Sequence, residues 1–75
     1  MKVLTNPLNA AVKTVQNFDG SIIVARWNSS GSLTSFRYHS YDGAWYCVGE
    51  DKKYSASDIF TSADVLAIFY DEEKA

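Results

Sequence analysis

Three runs rich in β-branched and aromatic residues, at 21–28, 33–40 and 44–48, are divided by two short polar turns, and this spacing constrains the fold more than any other feature of the chain. The first turn is Ser29-Ser30-Gly31-Ser32. The second contains Asp42-Gly43, the dipeptide that most favours a tight β-hairpin. Strands joined by connections this short lie antiparallel to one another. The spacing therefore predicts a three-stranded antiparallel meander.

Counting across the turns assigns faces. A two-residue turn at Asp42-Gly43 sets Tyr41 opposite Ala44, His39 opposite Tyr46, Tyr38 opposite Cys47 and Arg37 opposite Val48. A four-residue loop at 29–32 sets Trp27 opposite Thr34, Ala25 opposite Phe36 and Ile23 opposite Tyr38. Opposed residues share a face, and successive residues alternate. One face then carries Ile23, Ala25, Trp27, Phe36, Tyr38, Trp45 and Cys47, the expected core. The other carries Ile22, Val24, Arg26, Leu33, Arg37, His39, Tyr41, Tyr46 and Val48.

Something must cover the core face. Asn6 is a favourable N-cap, Pro7 suits a first helical position, and Leu8, Ala11, Val12 and Val15 recur at helical spacing. A helix is expected over residues 7–17, ended by Gly20, with its apolar stripe on the sheet. The competing reading makes Asp19-Gly20 a hairpin turn; the helical spacing favours the first. Near the other end, Ser55 and Asp58 have the spacing of a capping box, so a short helical turn is expected over 56–60. Residues 65–70, Val-Leu-Ala-Ile-Phe-Tyr, are apolar or aromatic in succession. A helix there would put Asp71, Glu72 and Glu73 at the negative end of its dipole, so a fourth, buried strand is expected instead. The fold class is thus α+β: one N-terminal helix packed on a three- to four-stranded antiparallel sheet, in the order helix, three strands, short helical turn, strand.

The 75 residues contain no repeat, linker or low-complexity stretch, and read as a single small domain from 1 to 75. Aromatic residues make up 15% of them, too much burial for a disordered chain. No apolar run reaches the roughly 20 residues of a membrane span, and the N-terminus has no signal-peptide h-region. With one cysteine, Cys47, no internal disulfide can form, which fits a reducing, cytoplasmic setting.

Charge is unevenly divided. Residues 1–37 carry four basic side chains against one acidic, whereas residues 38–75 carry three against eight. The net charge of −2 argues against a dedicated nucleic-acid binder. A split of this kind suits docking on a partner of complementary charge.

Catalytic chemistry has little to work with. The single histidine, His39, would have to serve any nucleophile, and it sits on a strand beside Arg37. Cys47 lies on the expected core face, where a thiol packs as a small hydrophobe. No phosphate-cradling glycine loop, metal-ligand spacing or cofactor motif occurs. The expectation is a non-enzymatic module that needs no cofactor or metal.

Small acidic chains of this kind commonly work by occupying a partner, as adaptors or inhibitors, and phage and mobile-element genomes encode many. The expected partner is another protein, with a homodimer also expected. The alternative is single-stranded nucleic acid, with Tyr41 and Tyr46 stacking bases while Arg26 and Arg37 hold phosphates. The expected binding residues are Arg26, Arg37, His39, Tyr41 and Tyr46, because Arg and Tyr are frequent interface anchors. The acidic run Asp71, Glu72 and Glu73 is a secondary patch able to steer a basic partner.

Overall fold

The computed structural model describes residues 1–7 and 19–71. They form strands β1 (Lys2–Thr5), β2 (Ile22–Trp27), β3 (Leu33–His39), β4 (Ala44–Cys47) and β5 (Lys53–Tyr54), helix α1 (Ala56–Ser62), and strand β6 (Ala63–Tyr70). All six strands among the described residues join one antiparallel sheet in the order β1-β6-β2-β3-β4-β5.

This corrects the expected architecture. The sheet has six strands rather than three or four, and the helix within the described residues is a seven-residue segment late in the chain. The helix expected over 7–17, with its Leu8, Ala11, Val12 and Val15 stripe, falls almost entirely outside the described residues. Residues 2–5, assigned no element from sequence, form an edge strand. Four residues of mixed polarity carry no periodic signal, and β1 exists because β6 offers it a partner. Asn6 ends it with φ +46°, a left-handed conformation that asparagine tolerates better than most residues. The extended backbone usual for an N-cap is therefore absent at Asn6.

The meander forms, with its register displaced by two residues at both turns. Ile23 pairs with Phe36 and Ala25 with Thr34, because the first loop closes at Trp27 and Ser32, where Trp27 N–H donates to Ser32 O at 2.9 Å. His39 pairs with Ala44 and Tyr38 with Trp45. The second connection is a four-residue turn over 40–43, held by Gly43 N–H donating to His39 O at 2.9 Å. Gly43 sits at φ +64°, the conformation that glycine supplies there. A displacement of two leaves each side chain on its expected face, since the pleat repeats every two residues.

Ser55 caps α1 as expected. Its hydroxyl accepts from Asp58 N–H, and the Asp58 carboxylate accepts from Ser55 N–H, both at 3.1 Å. The helix passes into β6 without a loop: Ala63 is already extended while its N–H still donates to Ile59 O. β6 then runs between β1 and β2, hydrogen-bonded along both edges. Its register shifts at Leu66: Ala25 pairs with Val65, and the next residue back, Val24, with Ala67. Leu66 is thus the extra residue of a β-bulge, and its carbonyl accepts from Asn6 N–H at 2.8 Å. The bulge puts Ala63, Val65 and Ile68 on the core face, a pattern that simple alternation would not produce.

The core joins Ile23, Phe36, Trp45 and Ile68 to Ile59 of α1 and Tyr54 of β5. Phe36 and Tyr54 meet edge to face at 5.1 Å, and Trp27 closes the group from its half-buried position, 5.6 Å from Phe36. Burial pushes the Tyr54 hydroxyl pKa up, helped by the neighbouring Glu50, which accepts its hydrogen bond at 3.3 Å. Of the aromatics expected inside, Phe36, Tyr38 and Trp45 are buried.

Candidate functional site

α1 lies on the core face of the sheet, and no described element covers the opposite face. One row of paired residues crosses all six strands on that open face: Val3, Phe69, Ile22, Arg37, Tyr46 and Lys53. At the usual interstrand spacing the row is about 24 Å long. Its first half is apolar and its second half cationic and aromatic. The row beside it, Thr5, Ala67, Val24 and Ser35, is smaller and more neutral.

The aromatic half is an organised cluster. The His39 ring meets Tyr46 at 4.6 Å and Tyr41 at 5.4 Å, both in near-perpendicular contact, and His39 Nδ1 shares a hydrogen bond with Tyr41 Oη at 3.2 Å. Tyr46 donates its hydroxyl to Asp42, and the same Asp42 oxygen lies 3.5 Å from Lys53 Nζ. Asp42 is held below the usual carboxylate range by the Tyr46 hydrogen bond first, with the Lys53 charge adding to it. The Tyr46 pKa is pushed up to about 12, chiefly because its proton is held by Asp42. The ring of Tyr46 is thereby fixed in position while Tyr41, 79% exposed, stands out from the sheet.

Of the five residues expected to bind a partner, four fall together. Arg37 is the β3 neighbour of Tyr46, and His39 and Tyr41 complete the group. Arg26 lies on the same face but four residues along the strand axis from Ile22, the partner of Arg37, so about 13 Å away. Its Nη1 donates to Gly31 O at 2.8 Å, and its neighbour across β6 is Asp64. Arg26 belongs to the loop end of the sheet. Asp71 lies beside Tyr70 at the end of β6; Glu72 and Glu73 are outside the described residues.

Sequence reasoning overlooked Asp42, Lys53 and Phe69. Asp42 counted only as a turn former, although its position beside a two-tyrosine strand pair offered a signal for its second role. Nothing in the local sequence around Phe69 indicated that β6 would lie beside β2.

Among the described residues, no three His, Cys, Asp or Glu side chains converge to hold a metal ion. Cys47 is a free, buried thiol whose sulfur lies 3.2 Å from Thr34 Oγ1. No helix among the described residues is long and apolar enough to cross a membrane. In comparisons with known proteins, no family model, curated protein or solved structure matches the chain.

Proposed function

We propose that this chain is a non-enzymatic protein-binding module that works by occupying a partner's surface with its open sheet face, as an inhibitor or adaptor of the kind phage and mobile elements encode. The observation that carries the reading is the asymmetry of the sheet. One face is packed under α1, while the other presents Arg37, His39, Tyr41 and Tyr46 beside half-buried Ile22, Val24 and Phe69. Aromatic and arginine side chains set among aliphatics are what interfaces enrich. The Tyr46–Asp42 bond and the His39 contacts fix the cluster in advance, so less rotamer freedom is lost on docking.

Nucleic acid is the weaker partner. Asp42 occupies the Tyr46 hydroxyl and neutralises Lys53, and Asp64 stands next to Arg26, so the face is short of unpaired cations for a phosphate chain. Self-association belongs to the same reading, and the open face carries it better than an edge. β1 is only four residues long and includes Lys2, which blunts edge pairing. The free thiol of Cys47 favours a reducing compartment, and the cytoplasm is the setting we propose.

The test is capture of binding partners from the source cell with the wild-type chain and with Arg37→Ala and Tyr46→Ala. The reading expects both variants to remain folded and to lose the partner, each removing about 2 kcal/mol or more of binding energy. Retention of every partner by both folded variants would move the site off this face.

A further inference from the structure

The apolar half of the open face ends in a pocket of about 270 Å³, bounded among others by Asp19, Gly20, Ile22, Arg37, Phe69 and Asp71. Ile22 and Phe69 are direct partners between β2 and β6, so their side chains make a continuous apolar floor. Arg37 is the β3 partner of Ile22. Its guanidinium lies along Gly20, with Nη2 3.6 Å from the point a Cβ would occupy there. Lys53 is paired with Asp42 and the Arg26 side chain donates to Gly31 O, whereas among the described residues none accepts a hydrogen bond from the Arg37 guanidinium, whose charge acts on Asp19 without a close pair.

Asp19 is fixed before any ligand arrives. Its Oδ1 accepts from Ser40 N–H at 2.9 Å, and the adjoining Gly20 N–H donates to Tyr38 O at 3.0 Å, which pins this segment to β3. A carboxylate has two oxygens, so Asp19 retains an acceptor after that bond is made. The pocket thus joins the Arg37 guanidinium, the anchored Asp19 carboxylate on which its charge already acts, and an apolar floor, with Met1, Tyr70 and Asp71 completing the wall. A simple anion fits it poorly, because the Asp19 carboxylate brings negative charge to the same cavity. A simple cation fits poorly because of Arg37. The volume lies just under the roughly 300–1,000 Å³ of drug-sized sites, so the ligand is small.

We propose that this pocket binds a free α-amino acid with an apolar or aromatic side chain, its carboxylate on Arg37, its ammonium on Asp19 and its side chain on the Ile22–Phe69 floor. Arg37 supplies two parallel donors to the carboxylate, which a lysine could not reproduce. The proposal goes beyond the protein-binding reading and shares Arg37, Ile22 and Phe69 with it: a small ligand at the apolar end of the row is tested without any protein partner.

The probe is L-phenylalanine, titrated into the isotopically labelled full chain while backbone amide shifts are followed by NMR. Saturable millimolar shifts centred on Gly20, Ile22 and Phe69 are expected. 3-Phenylpropanoate, which lacks the ammonium, phenethylamine, which lacks the carboxylate, and glycine, which lacks the side chain, should each bind about tenfold or more weakly. Arg37→Gln and Asp19→Asn should each lower L-phenylalanine affinity by a similar factor, and Asn retains an oxygen for Ser40 N–H. Amide dispersion in the same spectra reports whether each variant is folded, and Arg37→Lys serves as a second, charge-retaining variant expected to bind several-fold more weakly than wild type. Absence of saturable shifts would overturn the proposal. So would 3-phenylpropanoate binding as well as L-phenylalanine, or shifts mapping away from the pocket.

Discussion

Tyr46 donates its hydroxyl to Asp42 across the β3–β4 turn, so the residue that shapes the turn also fixes the central aromatic side chain of the open face. The bond is visible in both partners: Asp42 is held below the usual carboxylate range and Tyr46 rises to about 12.

The first prediction concerns pH. The Tyr46 hydroxyl is raised in the folded state, so its contribution to stability is present below the unfolded value of about 10 and is lost as pH climbs toward 12. The Asp42 carboxyl is lowered, so its contribution is present above its ordinary value of 3.8 and is lost as pH falls below it. Ultraviolet titration of the phenolates should find Tyr46 and Tyr54 ionising above the ordinary value of about 10, and Asp42→Asn should bring the Tyr46 phenolate alone back toward it. An unchanged titration curve in that variant would show that the bond does not govern Tyr46.

Trp45 supplies the second prediction. It is fully buried, and its indole Nε1 has no hydrogen-bond partner among the described residues. Trp45→Ala should cost about 3–5 kcal/mol in chemical denaturation. Trp45→Phe should cost far less, because removing the unpaired N–H returns about 1–3 kcal/mol against the smaller volume. Half-buried Trp27 should cost less than Trp45 when each is cut to Ala. Equal losses for Trp45→Ala and Trp45→Phe would contradict this account of the core.

The capping box gives a third. Ser55→Ala removes the acceptor for Asp58 N–H and should destabilise the domain by about 1 kcal/mol. Because α1 runs straight into β6, faster amide exchange should extend beyond the helix into Ala63 and Val65. Exchange confined to residues 56–62 would mean that helix and strand open independently.

Assembly gives a fourth. Sedimentation at high micromolar concentration should show a dimer in equilibrium with monomer, shifted toward monomer by Tyr41→Ala. A clean monomer would leave the open face to other partners.

Legibility in the sequence followed the range of the forces involved. Strands β2, β3 and β4 were readable because alternation and turn residues are local signals. The faces survived an error in both turns, since Ile23 moved from Tyr38 to Phe36 by two residues, an even step. β1 and the place of β6 in the sheet were not readable: Val3 meets Phe69 only through pairing across most of the chain, and the bulge at Leu66 hides the alternation of β6. At the site, Arg37, His39 and Tyr46 came together because parity put them on one face, and Tyr41 joins them from the turn through its contact with His39. Arg26 did not join them, because a shared face says nothing about position along the strand. Lys53 follows the charged stretch Gly49-Glu50-Asp51-Lys52, which carries no strand signal, and its strand pairing with Tyr46 depends on the path of β5.

The most direct test of the central claim is to titrate the captured partner, once purified, into the isotopically labelled chain and map the perturbed resonances. The account predicts a footprint on the open face that contains Arg37, His39, Tyr41 and Tyr46 and leaves the exposed side of α1 untouched. A footprint centred on α1, with those four residues unperturbed, would contradict it.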